Sequence, residues 1–318
     1  GKQIKAVVAD NKSEPSESAN AMTKLLTQDK VVAVTGTFSS SNAIAAASVA
    51  EANKKPYLVA GATNPKVTVD EKTKTVKKFI YRVCFIDPFQ GTVAANFAAK
   101  DLKVKKAAML VDNSSDYSKG LAEFFETSFR KEGGEVIASE AYLQKDTDFK
   151  ATLTKIKSTN ADILYVPGYY EEVGKIVKQA RELGIAVPIV GADGWDSPKL
   201  IEIASPAALN NTYFTNHYSV EDTSPKAKAF VDAYAKEYGQ KPEALAVLGY
   251  DAVYVLADAV KRANSTDATK IAEALAGTRD FPAISGVTTI NKTHDADKNA
   301  VVIELKDGRQ IFKTSIKP

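Results

Sequence analysis

The chain contains few of the side chains that enzymes most often use for catalysis. It has one cysteine, Cys84, and two histidines, His217 and His294, among 318 residues. A single cysteine excludes an internal disulfide and any CxxC motif, and two distant histidines leave little material for a metal cluster or a catalytic triad. We therefore expect no metal and no cofactor.

Strong net charge and long apolar runs are also lacking. The formal net charge is only +3, and the lysines are scattered among glutamates, so nucleic acid is not an expected partner. No apolar run reaches the roughly 18 residues of a membrane span, and the first residues carry no signal-peptide pattern. A composition of 44% hydrophobic and 25% charged residues in 318 predicts a soluble protein of two domains.

The motifs of nucleotide and hydrolase chemistry are missing as well. No GxGxxG follows a strand, no GxxxxGK[ST] loop occurs, and no GxSxG elbow surrounds the serine cluster near residue 40. We therefore do not expect an enzyme.

What the sequence does contain is a regular alternation of strand-like and amphipathic helical runs, which predicts an α/β fold with parallel sheets. The predicted strands are Ile4–Ala9, Val31–Thr35, Pro56–Ala60, Phe79–Val83, Ala107–Val111, Val136–Tyr142, Ile163–Val166, Pro188–Val190 and Thr212–His217. The predicted helices between and after them include Ser16–Gln28, Asn42–Ala52, Ser115–Lys131, Phe149–Ser158, Glu171–Leu183, Pro225–Tyr238, Ala244–Ala263 and Ala268–Ala276. A hairpin around Asp307-Gly308 closes the pattern.

Two loops predict a binding site for a carboxylate. The apolar run Val31–Thr35 ends in Gly36-Thr37-Phe38-Ser39-Ser40-Ser41-Asn42 and leads into a helix, whose N-terminus offers free N–H groups and a positive dipole. A second loop, Gly61-Ala62-Thr63-Asn64-Pro65, follows the next strand. Ordinary helix caps and turns are the alternative explanation for these hydroxyl residues.

Several segments, in their order and spacing, resemble the type I periplasmic binding proteins for branched-chain and other aliphatic amino acids. The segments that carry the resemblance are Phe38-Ser39-Ser40-Ser41, Gly61–Pro65, Asp112–Tyr117, Tyr165–Tyr170, Gln179–Gly184 and Gly191-Ala192-Asp193-Gly194. The resemblance implies two lobes, each a parallel-rich sheet flanked by helices, hinged by about three crossings and closing on a ligand without covalent chemistry.

By this resemblance, lobe 1 comprises residues 1–86 and 218–285, and lobe 2 comprises residues 87–217 and 286–318. Family members usually begin roughly forty residues earlier, with one more strand and helix, whereas Gly1-Lys2-Gln3-Ile4 looks like their second strand. A fragment, an engineered piece, or a unit supplied by another segment would each explain the difference.

The resemblance also implies a function outside the cytoplasm. The protein would capture a small amino acid, aliphatic or small and polar, and deliver it to the membrane permease of an ABC importer. It would be a monomer, periplasmic or lipid-anchored at the cell surface. A ligand-sensing domain or an engineered sensor for a small carboxylate is the alternative.

Carried over position by position, the resemblance implies that Ser39 and Thr63 bind the carboxylate of the ligand. Gly61 would accept from the ligand ammonium through its carbonyl, and Asp193 would pair with that ammonium, although the family often has glutamate there. A turn aspartate is the alternative explanation for Asp193.

Aromatic residues complete the predicted site. Tyr117 and Tyr169 match positions that close over the ligand, and Tyr169 is preferred to Tyr170. Trp195 and Phe38 are either walls of the binding site or core residues. If both project inward, the site suits a small ligand such as glycine, alanine or serine better than leucine.

Overall fold

The structure is a computed structural model, and it describes residues 3–317. Its α-helices are α1 (Pro15–Thr27), α2 (Ser40–Ala52), α3 (Asp87–Asn96), α4 (Asp116–Lys131), α5 (Lys150–Ser158), α6 (Tyr170–Glu182), α7 (Pro198–Ala204), α8 (Pro225–Tyr238), α9 (Ala244–Ala263) and α10 (Ala268–Ala276). Its strands are β1 (Val34–Gly36), β2 (Tyr57–Val59), β3 (Ile80–Arg82), β4 (Lys106–Asp112), β5 (Glu135–Tyr142), β6 (Ile163–Tyr165), β7 (Ile189–Gly191), β8 (Thr212–Asn216), β9 (Phe281–Ala283), β10 (Gly286–Ile290), β11 (Ala296–Asp297), β12 (Ala300–Lys306) and β13 (Arg309–Ile316).

The chain forms two compact units and passes between them three times. Unit 1 contains the residues up to Phe85 together with Val247–Lys298, and unit 2 contains Ile86–Ala246 together with the residues from Asn299 onward. Residues 218–246 therefore group with unit 2 and residues 286–298 with unit 1, which differs from the ranges expected from the sequence.

Buried contacts explain these boundaries. In unit 2 the Tyr218 hydroxyl donates to the carbonyl of Pro242, and the Ala244 N–H donates to the carboxylate of Asp196 at 2.7 Å. In unit 1 the Asp295 carboxylate lies 2.6 Å from Nε of Arg82, and Ile290 is buried in the core. Such links between distant segments leave no signal in local periodicity.

Unit 1 is built on the parallel sheet β1-β2-β3. Side chains alternate along its strands, as β geometry requires. Tyr57 and Val59 face a core that includes Met22 of α1 and Ala46 of α2. Leu58 and its neighbours on the opposite face pack with α9 and α10. Both faces of the sheet are covered by helices, as the sequence predicts for a parallel sheet.

The predicted first strand, Ile4–Ala9, is not formed. Residues 3–11 belong to no helix or strand, and Ile4 and Val8 are 72% and 91% exposed. A strand requires a neighbour that pairs with its N–H and C=O groups, and no strand among residues 3–317 pairs with this segment. The alternating pattern alone therefore gave a wrong prediction.

Unit 2 is built on a larger sheet with the strand order β13-β12-β8-β7-β6-β4-β5. The strands from β8 to β5 are mutually parallel, and β12 and β13 add an antiparallel hairpin beside β8. Asp307 and Gly308 both have positive φ, at 51° and 74°, which is the geometry of the predicted tight hairpin turn. The α/β class and the parallel-rich sheets are confirmed.

The parallel order has one consequence for function. The carboxyl ends of β4, β6, β7 and β8 all meet at one edge of the unit 2 sheet, where ligand sites of open α/β sheets lie.

No helix within the part of the chain that the structure describes is long and apolar enough to cross a membrane.

Candidate functional site

In unit 1 the two predicted loops lie side by side beyond the carboxyl ends of β1 and β2. The Gly61 N–H donates to the Thr37 carbonyl at 3.3 Å, and the Asn64 N–H donates to Oγ of Ser40 at 3.3 Å. Parallel pairing of β1 with β2 places both loops at the same edge of the sheet. Ser39 and Thr63 therefore belong to adjacent loops of one unit.

Neither Ser39 nor Thr63 uses its hydroxyl as an ordinary helix cap. Ser39 is the N-cap residue of α2, with extended backbone, but its side chain makes no capping hydrogen bond. Thr63 is fully buried, and within residues 3–317 its Oγ1 has no hydrogen-bond partner. A buried hydroxyl without a partner costs free energy, so this oxygen is suited to receive or donate a bond when a ligand is present.

Phe38 packs directly over Gly61. The ring is half-buried against the unit 1 core, and a Cβ on Gly61 would lie 2.4 Å from Cδ1 of Phe38. A side chain at position 61 would displace the ring, so glycine is required by this close approach. Phe38 thus contacts both the core and the loop that carries Gly61.

In unit 2 the carboxylate of Asp193 is the centre of a buried hydrogen-bond network. Asp193 begins the short 3₁₀ turn Asp193–Trp195, which follows β7, and it is 5% exposed. Its Oδ1 accepts from Nε2 of Gln90 and from the Tyr117 hydroxyl, each at 2.7 Å. Its Oδ2 lies 3.0 Å from Nε2 of His217.

Four elements deliver these groups. Gln90 lies in the first turn of α3, which Pro88 helps to start, and Tyr117 lies in the first turn of α4, where Ser115 is the N-cap. His217 directly follows β8. Because all of these positions lie at the same edge of the sheet, the carboxyl ends of the strands assemble the network.

The network keeps Asp193 ionised without a lysine or arginine partner among the described residues. Burial acts to raise the pKa of Asp193, but the hydrogen bond and electrostatic attraction of His217, with hydrogen bonds from Tyr117 and Gln90, outweigh it and hold that pKa below its usual range. Among residues 3–317 no lysine or arginine pairs with this carboxylate. Burial and the nearby carboxylate raise the pKa of Tyr117 well above its usual range, so its hydroxyl remains a donor.

Tyr169 packs beside this network. Its ring stacks on that of Tyr117 with centroids 4.9 Å apart, and it is only partly buried, next to Leu121 and Ala192. Gly194, the residue after Asp193, packs tightly against the two tyrosines and the Gly168 backbone. A Cβ at position 194 would lie only 2.6 Å from the Gly168 carbonyl oxygen. The structure thus brings Tyr117, Tyr169 and Asp193 together, as the sequence predicts.

Trp195 is a core residue. It is fully buried among the apolar side chains of unit 2, its ring lies against Gly191, and its indole N–H donates to the Val166 carbonyl at 3.0 Å. Of the two expectations for this ring, the core position fits these contacts. Trp195 is therefore not a wall of the binding site, because its ring turns back beneath β7 and β6.

Asp196, at the end of the same turn, is a second buried acid. Its carboxylate accepts from the Ala244 N–H at 2.7 Å, from Asn216 at 2.9 Å and from Gln310 at 2.6 Å. Burial raises the pKa of Asp196 despite these bonds. This residue joins the turn to β8, β13 and the start of α9.

Sequence reasoning missed Gln90, Thr215 and His217. Nε2 of Gln90 also contacts Oγ1 of Thr215 at 2.9 Å, so the three residues form one network with Asp193. His217 follows the carboxyl end of a parallel strand, which is the position where site residues are expected, and that signal was available. In the described part of the chain, no group of His, Cys, Asp and Glu side chains is arranged to hold a metal ion.

Comparisons with known proteins agree with this geometry. The family described as "Periplasmic binding protein" matches residues 1–310. A Leu/Ile/Val-binding protein of Rhizobium johnstonii is 32% identical over 296 residues, which cover 93% of this chain and 78% of that protein. An amino acid binding protein of Pseudomonas aeruginosa is 30% identical over 273 residues, covering 86% of this chain and 71% of that protein.

Solved structures give the same result. A leucine-binding protein of Thermotoga maritima is 42% identical with a TM-score of 0.95, covering 100% of this chain and 89% of that one. A branched-chain amino acid transporter substrate-binding protein of Streptococcus pneumoniae, solved with isoleucine, is 39% identical with a TM-score of 0.91, covering 100% and 88%. The α/β fold, the loop pair of unit 1 and these matches agree that the chain belongs to the periplasmic binding proteins, a family of solute-binding proteins and not of enzymes.

Proposed function

We propose that this protein captures a branched-chain aliphatic amino acid outside the cytoplasm and delivers it to the permease of an ABC importer. The observation that carries the proposal is the buried Asp193 carboxylate, which accepts from Gln90 and Tyr117, contacts His217 and pairs with no lysine or arginine among residues 3–317. A buried anion is costly unless a cation compensates it. The α-ammonium of an amino acid supplies that cation.

The loops of unit 1 offer a binding site for the carboxylate of an amino acid. The positive N-terminus of α2, the Ser39 hydroxyl and the unpartnered Thr63 hydroxyl offer donors to an anion. Gly61 adds a backbone carbonyl for the ammonium. Hydrogen bonds to charged groups contribute about 1.5–3 kcal/mol each, so both ends of a zwitterion contribute to its affinity.

The side chain of the ligand is assigned to aromatic surroundings. Tyr169, whose ring is partly exposed, and Phe38 are the aromatic contacts that we retain, while Tyr117 acts mainly through Asp193. A very small ligand was expected only if both Trp195 and Phe38 projected into the site. Because Trp195 lies in the core, that expectation no longer holds. Relatives named as binding proteins for leucine, isoleucine or valine favour a ligand with a branched aliphatic side chain.

Three further parts of the proposal concern the protein in its setting. We assign it to the periplasm or, through a lipid anchor, to the cell surface. We expect it to act as a monomer. Its partner is a membrane permease that receives the ligand.

A thermal-shift screen tests the ligand class. The chain is heated with each L-amino acid and with the 2-hydroxy and 2-keto acids of the same carbon skeletons. A ligand at a hundred times its dissociation constant adds about 2.7 kcal/mol of stability. We expect the largest rise with leucine, isoleucine or valine. An equal rise with the 2-hydroxy acids would contradict the ammonium assignment, and no rise with any amino acid would contradict the proposed function.

A further inference from the structure

Gln90 is a fully buried donor of the unit 2 network. Its side chain lies in the first turn of α3 and is 0% exposed. Its Nε2 lies 2.7 Å from Oδ1 of Asp193 and 2.9 Å from Oγ1 of Thr215, which belongs to β8. Because the amide is buried, any effect that it has on a ligand acts through Asp193.

The two contacts fix the orientation of the Gln90 amide. The oxygens of an ionised carboxylate only accept hydrogen bonds, so the NH2 group of the amide, and not its carbonyl, faces Asp193. That group has two hydrogens, and the hydroxyl of Thr215 accepts the second. The aspartate and the threonine together hold one hydrogen of Gln90 on Oδ1.

The acceptor positions of Asp193 are filled unevenly. An ionised carboxylate has about four lone-pair positions, two on each oxygen. Gln90 and the Tyr117 hydroxyl both donate to Oδ1, whereas Oδ2 has a contact with His217 at 3.0 Å. This count is the same for a neutral and for a protonated ring. The acceptor position that remains is therefore on Oδ2.

The helices that carry the two donors to Oδ1 are packed tightly together. A Cβ on Gly91, the residue after Gln90, would lie only 2.7 Å from Cβ of Phe124, so α3 and α4 approach each other closely at this glycine. The hydroxyls of Thr92 and Ser128 lie 2.9 Å apart across the same helix pair. Both donors to Oδ1 are therefore held by one well-packed pair of helices.

We propose that Gln90 is a positioning residue which, together with Tyr117, occupies Oδ1 of Asp193 and leaves Oδ2 as the acceptor for the ligand ammonium. The inference rests on the proposed role of Asp193 in amino acid binding. Without the amide, Oδ1 has one donor fewer to offset its burial, so the carboxylate is free to rotate or to take up a proton. Either change weakens its attraction for a cation and leaves the loops of unit 1 unaltered.

The chain offers a matched control at the next buried acid. Nε2 of Gln310 donates to Oδ1 of Asp196 at 2.6 Å, so a second glutamine binds an aspartate of the same turn. Gln90→Met and Gln310→Met each remove an amide and keep the length of the side chain. Only the first is expected to alter the recognition of an ammonium group.

Titration calorimetry at neutral pH with two ligands tests the proposal. L-leucine and L-2-hydroxy-4-methylpentanoate differ in the ammonium, so the ratio of their Kd values reports on that group alone. We expect Gln90→Met to bind leucine about tenfold more weakly and the hydroxy acid less than about threefold more weakly. We expect Gln310→Met to leave the ratio as it is in the unaltered protein.

A purely structural role of Gln90 would give a different result. It would weaken the binding of both ligands by the same factor, and an unchanged ratio in Gln90→Met would overturn the inference alone. Thermal unfolding without ligand shows whether each variant folds. If Gln90→Met does not fold, Thr215→Val, which removes the acceptor that orients the amide, replaces it. The ratio should then fall in the same direction, and an unchanged ratio overturns the inference.

The unaltered protein separates failure of this inference from failure of the proposed function. Absence of leucine binding, or equal affinities for leucine and the hydroxy acid before any substitution, would overturn the ammonium role of Asp193 and this inference with it.

Discussion

Units 1 and 2 each bury aspartates among polar side chains, but the charge of those aspartates is compensated in different ways. In unit 1, Asp295 lies 2.6 Å from Nε of the fully buried Arg82. Asp251 accepts from Ser285, and the Ser285 hydroxyl also contacts the buried ammonium of Lys298. In unit 2, Asp193 is held by Gln90, Tyr117 and His217.

The difference distinguishes acids that lie near a fixed cation from the acid that we propose to bind the ammonium of the ligand. Arg82 also donates to the Ala62 carbonyl and to Oγ1 of Thr68, so the guanidinium and Asp295 join three segments of unit 1 with their charges balanced. Asp193 has as many hydrogen bonds but pairs with His217 and not with an arginine or a lysine. Hydrogen bonding and pairing with a fixed cation are therefore separate properties of a buried acid.

The largest expected effect is on the balanced pair of unit 1. Asp295→Ala leaves the Arg82 guanidinium buried without its counter-ion, so we expect the free energy of unfolding to fall by about 3–5 kcal/mol. Denaturant unfolding measures the change. Asp297→Ala, two residues away and exposed, is the control and should change stability by less than about 0.5 kcal/mol. Equal effects of the two variants would contradict the structural role of the pair.

The next effect concerns Asp193. Asp193→Asn preserves shape and removes the charge, so we expect L-leucine to bind at least about tenfold more weakly, while the ligand-free protein loses less stability than Asp295→Ala does. Calorimetric titration and thermal unfolding measure the two quantities. Asp193→Glu keeps the charge and should retain more affinity than the Asn variant. Loss of stability without loss of affinity would place Asp193 in the same class as Asp295.

Two buried threonines of unit 1 provide a matched pair. Thr63 has an unpartnered hydroxyl, whereas Oγ1 of Thr68 accepts from Arg82 and donates to Asp295 at 2.9 Å. We expect Thr63→Val to weaken leucine binding by about 1.5–3 kcal/mol without loss of stability, because a hydrogen bond to the ligand carboxylate is removed. Thr68→Val should lower stability and leave the affinity of the folded protein unchanged. The reverse pattern would refute the assignment of Thr63.

The smallest effect tests the position of Trp195. Trp195→Phe removes the indole N–H and leaves the Val166 carbonyl unsatisfied, so we expect a loss of about 1–3 kcal/mol in the free energy of unfolding. The order of affinities for leucine, isoleucine, valine and alanine should not change. A changed order would return Trp195 to the binding site.

The sequence predicts elements well where local patterns decide them. The bounds of α8, α9 and α10 match the predictions, and the Asp307-Gly308 turn is where the two turn residues place it. The segment Ile4–Ala9 has an equally clear strand pattern but no pairing partner among the described residues. Pairing is a property of two segments, and periodicity describes only one.

The site shows the same limit. Ser39 and Thr63 follow strands directly, so parallel pairing brings their loops together, and the sequence indicates as much. The bond from Gln90 to Asp193 spans 103 positions, and the one from His217 spans 24. Trp195 stands in a loop two residues after Asp193, yet its ring lies in the core because the 3₁₀ turn directs it back under β7. Side-chain direction after a turn is set by tertiary packing.

The central claim is that Asp193 is reserved for an ammonium group, and a comparison of two ligands tests it most directly. L-leucine and L-2-hydroxy-4-methylpentanoate share a carboxylate and a side chain and differ in the ammonium. Calorimetry at neutral pH should show leucine binding at least about tenfold more tightly to the unaltered protein, and this preference should disappear in Asp193→Asn. Equal affinities in the unaltered protein, or a preference that the Asn variant retains, would contradict the account.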